Sequence, residues 1–130
     1  MIGIDTNVLV RLFVADDAAQ ARRARRLVEK SEVLVSSSVL LEAEWVLRSA
    51  YGIEAGAISA AFRRFLGLPN VTSDSPAVLS EALDGYDAGH DFADALHLAA
   101  AHDVGAFYTF DKRLVRQAKG GKLRVAAVPG

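Results

Sequence analysis

Short apolar runs alternate with helical stretches along this chain, and that alternation constrains the fold more than any other feature. Met1–Ile4, Val33–Val35, a brief run near Val71, Ala106–Phe110 and Leu123–Val128 read as strands. Between them, helices are predicted over Asn7–Phe13, from an Asp16 or Asp17 cap to about Lys30, over Ser36–Tyr51 closed by Gly52, and over Ala55–Leu66. Further helices fit Pro76–Leu83, Asp91–Asp103 and Leu114–Lys119, with Gly85–His90 as a loop. Strands this short and apolar, each followed by a helix, imply an α/β fold: three layers, α/β/α, around a short central parallel sheet. Ligands of such sheets sit at the carboxyl ends of the strands. Asp5 and Asp111 each follow a strand directly.

A chain of 130 residues, 52% hydrophobic, is long enough for one domain, here 1–130, with a real core. The absence of cysteine removes disulfide frameworks, thiolate zinc sites, iron–sulfur clusters and cysteine nucleophiles, and suits a reducing compartment. No apolar run approaches the roughly 18 residues of a membrane span, and Met1–Asp5 lacks the make-up of a signal peptide. The expectation is a soluble cytoplasmic domain with no membrane association.

The net charge of −1 hides a segregation. From Asp74 to Asp111 the acids Asp74, Glu81, Asp84, Asp87, Asp91, Asp94, Asp103 and Asp111 occur with no Lys or Arg. After Asp111 come Lys112, Arg113, Arg116, Lys119, Lys122 and Arg124, with no acid.

Several carboxylates have ordinary explanations. Asp5, Asp91 and Asp111 can each cap a following helix, and Asp94 would occupy a first-turn position that the helix dipole favours. Glu44 has Arg48 four residues on, in the favourable order. Glu42 resists such a reading. Val39, Trp45 and Val46 surround it at helical spacing, so it interrupts an apolar face, where a carboxylate needs a cation or hydrogen bonds.

Each acid alone is explicable; their coincidence is less so. Two carboxylates about 5 Å apart repel by about 3 kcal/mol at an effective dielectric near 20. Gathering several therefore calls for positive charge, and none lies between Asp74 and Asp111 in sequence. Oxygen donors without cysteine suit a hard divalent ion, Mg²⁺ or Mn²⁺, while His90, His97 and His102 read as surface or packing residues. An ion held this way typically handles phosphate oxygens. The run Arg22-Arg23-Ala24-Arg25-Arg26, with Arg113, Arg116, Lys119 and Lys122, could then follow a polyanion backbone, or simply solvate a helix face. Three Tyr and one Trp make a thin platform for base stacking.

These residues resemble a known family. Met1-Ile2-Gly3-Ile4-Asp5-Thr6-Asn7-Val8-Leu9-Val10-Arg11 is similar to the opening motif of PIN-domain nucleases, especially VapC toxins of toxin–antitoxin pairs. Val35-Ser36, Val39-Leu40-Leu41-Glu42 and Trp45-Val46-Leu47 resemble the segment bearing the family's second acid. Asp91-Phe92-Ala93-Asp94-Ala95-Leu96 resembles its third acidic motif and Tyr108-Thr109-Phe110-Asp111 its fourth. The resemblance spans the whole chain, in the family's order. It implies a Mg²⁺- or Mn²⁺-dependent endoribonuclease with Asp5, Glu42, Asp94 and Asp111 as the acidic cluster. Asp91 is a further ligand or orienter, and Asn7 and Thr109 support the cluster by hydrogen bonds. It also implies a homodimer, a VapB-like antitoxin partner, and RNA substrates that are commonly tRNA or ribosomal RNA. Of Asp91 and Asp94, the latter is favoured as the more direct ligand because it lies inside the helix.

Three other readings compete. A haloacid-dehalogenase-like phosphatase would need an acid at Asn7. A phospho-acceptor receiver domain would need an acidic pair after the first strand and a late strand-end lysine. A catalytically silent RNA- or protein-binding module makes the acidic set superfluous.

Overall fold

Three of the five strands are shorter than the apolar runs that encode them. The computed structural model describes every residue from Met1 to Gly130. It places β1 at Ile2–Gly3, β2 at Val33–Val35, β3 at Val71–Ser73, β4 at Phe107–Thr109 and β5 at Val125–Ala127. Helices fill the intervals: α1 (Thr6–Phe13) and α2 (Ala18–Glu29), then α3 (Ser37–Ser49) and α4 (Ala55–Leu66). After β3 come α5 (Pro76–Asp87) and α6 (Phe92–Ala100), and α7 (Lys112–Gln117) joins β4 to β5. All strand pairing is parallel, as the helical connections require. This is the α/β class that the alternation implies. The chain resolves into two compact units, Met1–Ala77 and Val78–Gly130.

In the first unit the strand order is β1-β2-β3, with Ile2 opposite Val33 and Val33 opposite Val71. Val33 and Val35 are fully buried, as expected of a central strand covered by helices. The helices present buried stripes at three- and four-residue spacing: Ala21, Ala24 and Val28 on α2, and Leu40, Ala43 and Leu47 with the acid Glu44 on α3. Phe13 meets Phe62 and Phe65 of α4 at ring-centroid distances of 5.9 and 6.2 Å. Asp5, Ser36 and Asp74 each stand at or just beyond the carboxyl end of one of the three strands. Asp74 Oδ1 accepts from Ser37 N at 3.0 Å and from Ser37 Oγ at 2.7 Å, fastening the β3 end to the start of α3.

In the second unit β4 pairs with β5, Tyr108 opposite Ala126. Helix α5 runs to Asp87, four residues beyond the predicted end at Leu83. Gly85 does not break it. A Cβ there would stand 3.1 Å from the Ala95 Cβ, so this glycine permits close approach of α6 to α5. The turn falls instead at Gly89, which has φ +99. His90 N donates to Gly85 O and Gly89 N to Tyr86 O, both at 3.0 Å, the two bonds of a Schellman helix ending. Tyr86 and Phe92 then pack edge to face across this turn, with ring centroids 5.2 Å apart. Helix α6 ends at Ala100 rather than Asp103, its last carbonyls taken up by the turn at Ala101. No helix is long and apolar enough to cross a membrane.

Candidate active site

Asp5 begins α1 as its N-cap, its Oδ1 accepting from Val8 N at 3.1 Å. A carboxylate has two oxygens, and this cap engages one of them. The next residue, Thr6, is buried and donates its Oγ1 proton to Glu42 Oε1 on α3. Asp5 and Glu42 are therefore linked through adjacent backbone and one hydroxyl. Asn7 is exposed and forms no side-chain hydrogen bond. It lines a cleft of about 450 Å³ with Val8, Arg11, Gln20, Arg23, Ala24 and Leu27.

The expectation that Glu42 interrupts a buried face is overturned: Glu42 is exposed, and Glu44 is the buried acid, 3% accessible. The core stripe of α3 follows Leu40, Ala43, Glu44 and Leu47, while Trp45 stands 59% exposed. The apolar neighbours of Glu42 are thus not core residues. Glu44 is stabilised as expected, by Arg48 Nε at 2.8 Å.

In the second unit Asp91 caps α6, its Oδ2 accepting from Asp94 N at 3.1 Å. Asp111 caps α7, its Oδ1 accepting from Arg113 N at 2.9 Å and Leu114 N at 3.3 Å. Thr109 Oγ1 accepts from Asp111 N at 3.0 Å, holding the turn that presents this acid. Asp94 is half-buried. Its pKa is raised, first by burial, then by the Asp91 charge; Arg113 opposes this, Asp111 adds to it, and His97 opposes it. The Arg113 Nη2 lies 3.6 Å from Asp94 Oδ2 and 3.7 Å from Asp111 Oδ2.

Arg113 corrects the sequence argument that no cation stands among these acids. It lies two residues beyond the acidic stretch, and the tight turn into α7 brings it back. Thr6 and Arg113 were the residues that sequence reasoning passed over in these roles. Thr6 carried a usable signal, a hydroxyl directly after a strand-end acid. Arg113 carried none, since it reads equally well as a contact for phosphate.

Within neither unit do three acidic or imidazole side chains converge closely enough to hold a metal. The donor chemistry nevertheless suits a hard cation: carboxylates engaged through one oxygen at Asp5 and Asp91, and an acid in Asp94 whose ionised form is disfavoured by burial and then by the neighbouring Asp91 charge. Arg22, Arg23, Arg25 and Arg26 are all exposed on α2 and none forms an ion pair. Arg116 is likewise exposed and unpaired on α7.

Comparison with curated proteins and with solved structures gives no match. The PIN domain family model matches residues 2–120, a span that runs from β1 past the end of α7 and includes every acid described above. The chain therefore belongs to the PIN domain family, whose members are in general nuclease modules.

Proposed function

We infer that residues 1–130 act as one functional domain, a Mg²⁺- or Mn²⁺-dependent endoribonuclease that serves as the VapC-type toxin of a toxin–antitoxin pair. The observation that carries this reading is the cost of the acidic arrangement in the second unit. Asp94 is kept half-buried near two other carboxylates although its charge is disfavoured there. A cap at Asp91 and a cap at Asp111 serve the helices without any need for a third acid. Asp5, Glu42, Asp94 and Asp111, with Asp91, would hold the ion. The bound ion supplies a water of lowered pKa and neutralises charge developing on phosphate. The chain's own residues position the donors: Thr6 fixes the Glu42 carboxylate, Thr109 fixes the backbone at Asp111, and the caps hold Asp5 and Asp91 at their helix starts. Arg113 keeps Asp94 and Asp111 compatible in the metal-free protein and stands ready for a phosphate oxygen. The RNA class follows from the resemblance to VapC toxins, as do a homodimer and a VapB-like antitoxin; a cytoplasmic setting rests on the cysteine-free composition.

Arg113 also favours a second reading, a silent RNA- or protein-binding module, because a guanidinium that already offsets part of the charge of the acid pair lessens its need for a metal. Purified protein with Mn²⁺, EDTA, Asp5→Asn and Asp94→Asn separates the two. The nuclease reading expects RNA cleavage that EDTA and either substitution abolish, with circular dichroism unchanged. Cleavage that survives EDTA or both substitutions sinks the metal-site assignment. Growth arrest on induced expression, relieved by Asp5→Asn, tests the toxin role, and mapping new RNA 5′ ends in those cells identifies the target.

A further inference from the structure

We propose that Tyr108 and Phe110 form a stacking platform for two unpaired bases of single-stranded RNA, whose phosphates run along the cations of α7. The proposal deepens the ribonuclease reading and rests on it for the identity of the ligand. Phe110 is 85% exposed and Tyr108 52%. Every other phenylalanine, at positions 13, 62, 65, 92 and 107, is buried or half-buried. Burying such a ring stabilises a fold, and Phe110 contributes little of that here.

Side chains alternate across a strand. Along β4 and its continuation, Phe107 and Thr109 are half-buried while Tyr108 and Phe110 are exposed. By this alternation the two rings fall on the same side of the strand, Phe110 at the bend that ends it. The ladder persists beyond β5, where Val128 N donates to Thr109 O at 3.2 Å. Val128, 37% exposed, extends the apolar patch.

The neighbouring charge selects the occupant. Asp111 follows Phe110 directly, and then Lys112, Arg113 and Arg116 stand exposed on α7. From Lys112 to the end of the chain there are six cations and no acid. Exposed rings beside a cationic helix are the combination that binds single strands: bases stack on the rings while the backbone follows the charge. A base inside a duplex has both faces covered by its neighbours, so the platform admits loops and unpaired segments. The patch offers only the Tyr108 hydroxyl for base edges, which makes recognition tolerant of sequence. Counting only Tyr and Trp understates this surface, because its most exposed ring is a phenylalanine.

The test uses a short single-stranded RNA containing 2-aminopurine, bound to the full chain in EDTA so that cleavage does not intervene. Wild type is expected to quench the fluorophore. Phe110→Ala should weaken binding about tenfold and lose the quench, as removal of one stacked base does. Phe110→Trp should restore both. An abasic strand should bind wild type and Phe110→Ala equally. Should Phe110→Ala fail to fold, Phe110→Leu and Tyr108→Ala supply the same comparison. Equal binding by wild type and the ring-less variant overturns the proposal, as does an equal loss on the abasic strand. A variant that turns a dimer into a monomer in sedimentation while RNA binding is unchanged also overturns it and assigns the face to a second copy. Adding Mn²⁺ keeps the two readings apart. A platform intact without cleavage refutes the ribonuclease and leaves the stacking site; cleavage with KM unchanged in Phe110→Ala refutes only the platform.

Discussion

Asp94 occupies the first turn of α6, where the helix dipole favours an anion, yet its proton is held more tightly than in an ordinary carboxyl. Burial is the larger cause and the Asp91 charge the next, with Arg113 opposing them. An acid whose folded pKa exceeds its unfolded value binds more protons when folded. Stability then falls as pH rises from the ordinary 3.8 through the folded value, and the ionised group is a cost at neutral pH. Asp94→Asn is therefore expected to raise the thermal midpoint at pH 7 in EDTA, and the advantage should vanish below about pH 3.8. Differential scanning calorimetry across pH measures this directly. A variant less stable than wild type at pH 7 would mean that the Arg113 pairing outweighs burial. Added Mn²⁺ should reverse the order, stabilising wild type and leaving the variant unmoved, because an ion bound only to the folded chain stabilises it by mass action.

Helix α5 shows how an element can override its own punctuation. Gly85 reads as a helix breaker, but in the fold it lets α6 approach, while Gly89 makes the turn. Gly85→Leu should then destabilise by about 1–3 kcal/mol through overpacking against Ala95, and Gly89→Ala by about 1 kcal/mol because its φ is positive. Urea unfolding of both variants tests the assignment; a harmless Gly85→Leu would return that position to a loop. Elements whose signal is local were legible in the sequence. Val33–Val35 and Ala55–Leu66 have the predicted bounds, and Asp5, Asp91 and Asp111 are the predicted caps. What escaped depends on tertiary packing: which stripe of α3 is core, hence the exchange of Glu42 and Glu44, and where the turn into α7 sends Arg113. The site is accordingly legible as a set of acids and illegible as a set of hydrogen bonds.

Over the whole molecule, the near-zero net charge conceals two cationic helices with different surroundings. On α2, Arg22, Arg23, Arg25 and Arg26 are exposed and unpaired, whereas on α7 Arg113 already faces Asp94 and Asp111. A polyanion releases counterions only where it meets unneutralised cations, so the two helices should contribute differently to salt dependence. For a single-stranded RNA, each phosphate contact adds about 0.7 to the slope of log affinity against log salt. If α2 touches the strand, Arg22→Gln with Arg23→Gln should lower that slope by about 1.4, twice the single-contact value. Arg116→Gln should remove about 0.7. Arg113→Gln should remove less, since its guanidinium is already paired with Asp94 and Asp111 and releases fewer counterions on meeting a phosphate. Fluorescence anisotropy between 50 and 300 mM KCl reads all three slopes. A slope unchanged by the α2 double variant makes the arginine run a solvated face, and confines the RNA path to α7 and the aromatic strand beside it.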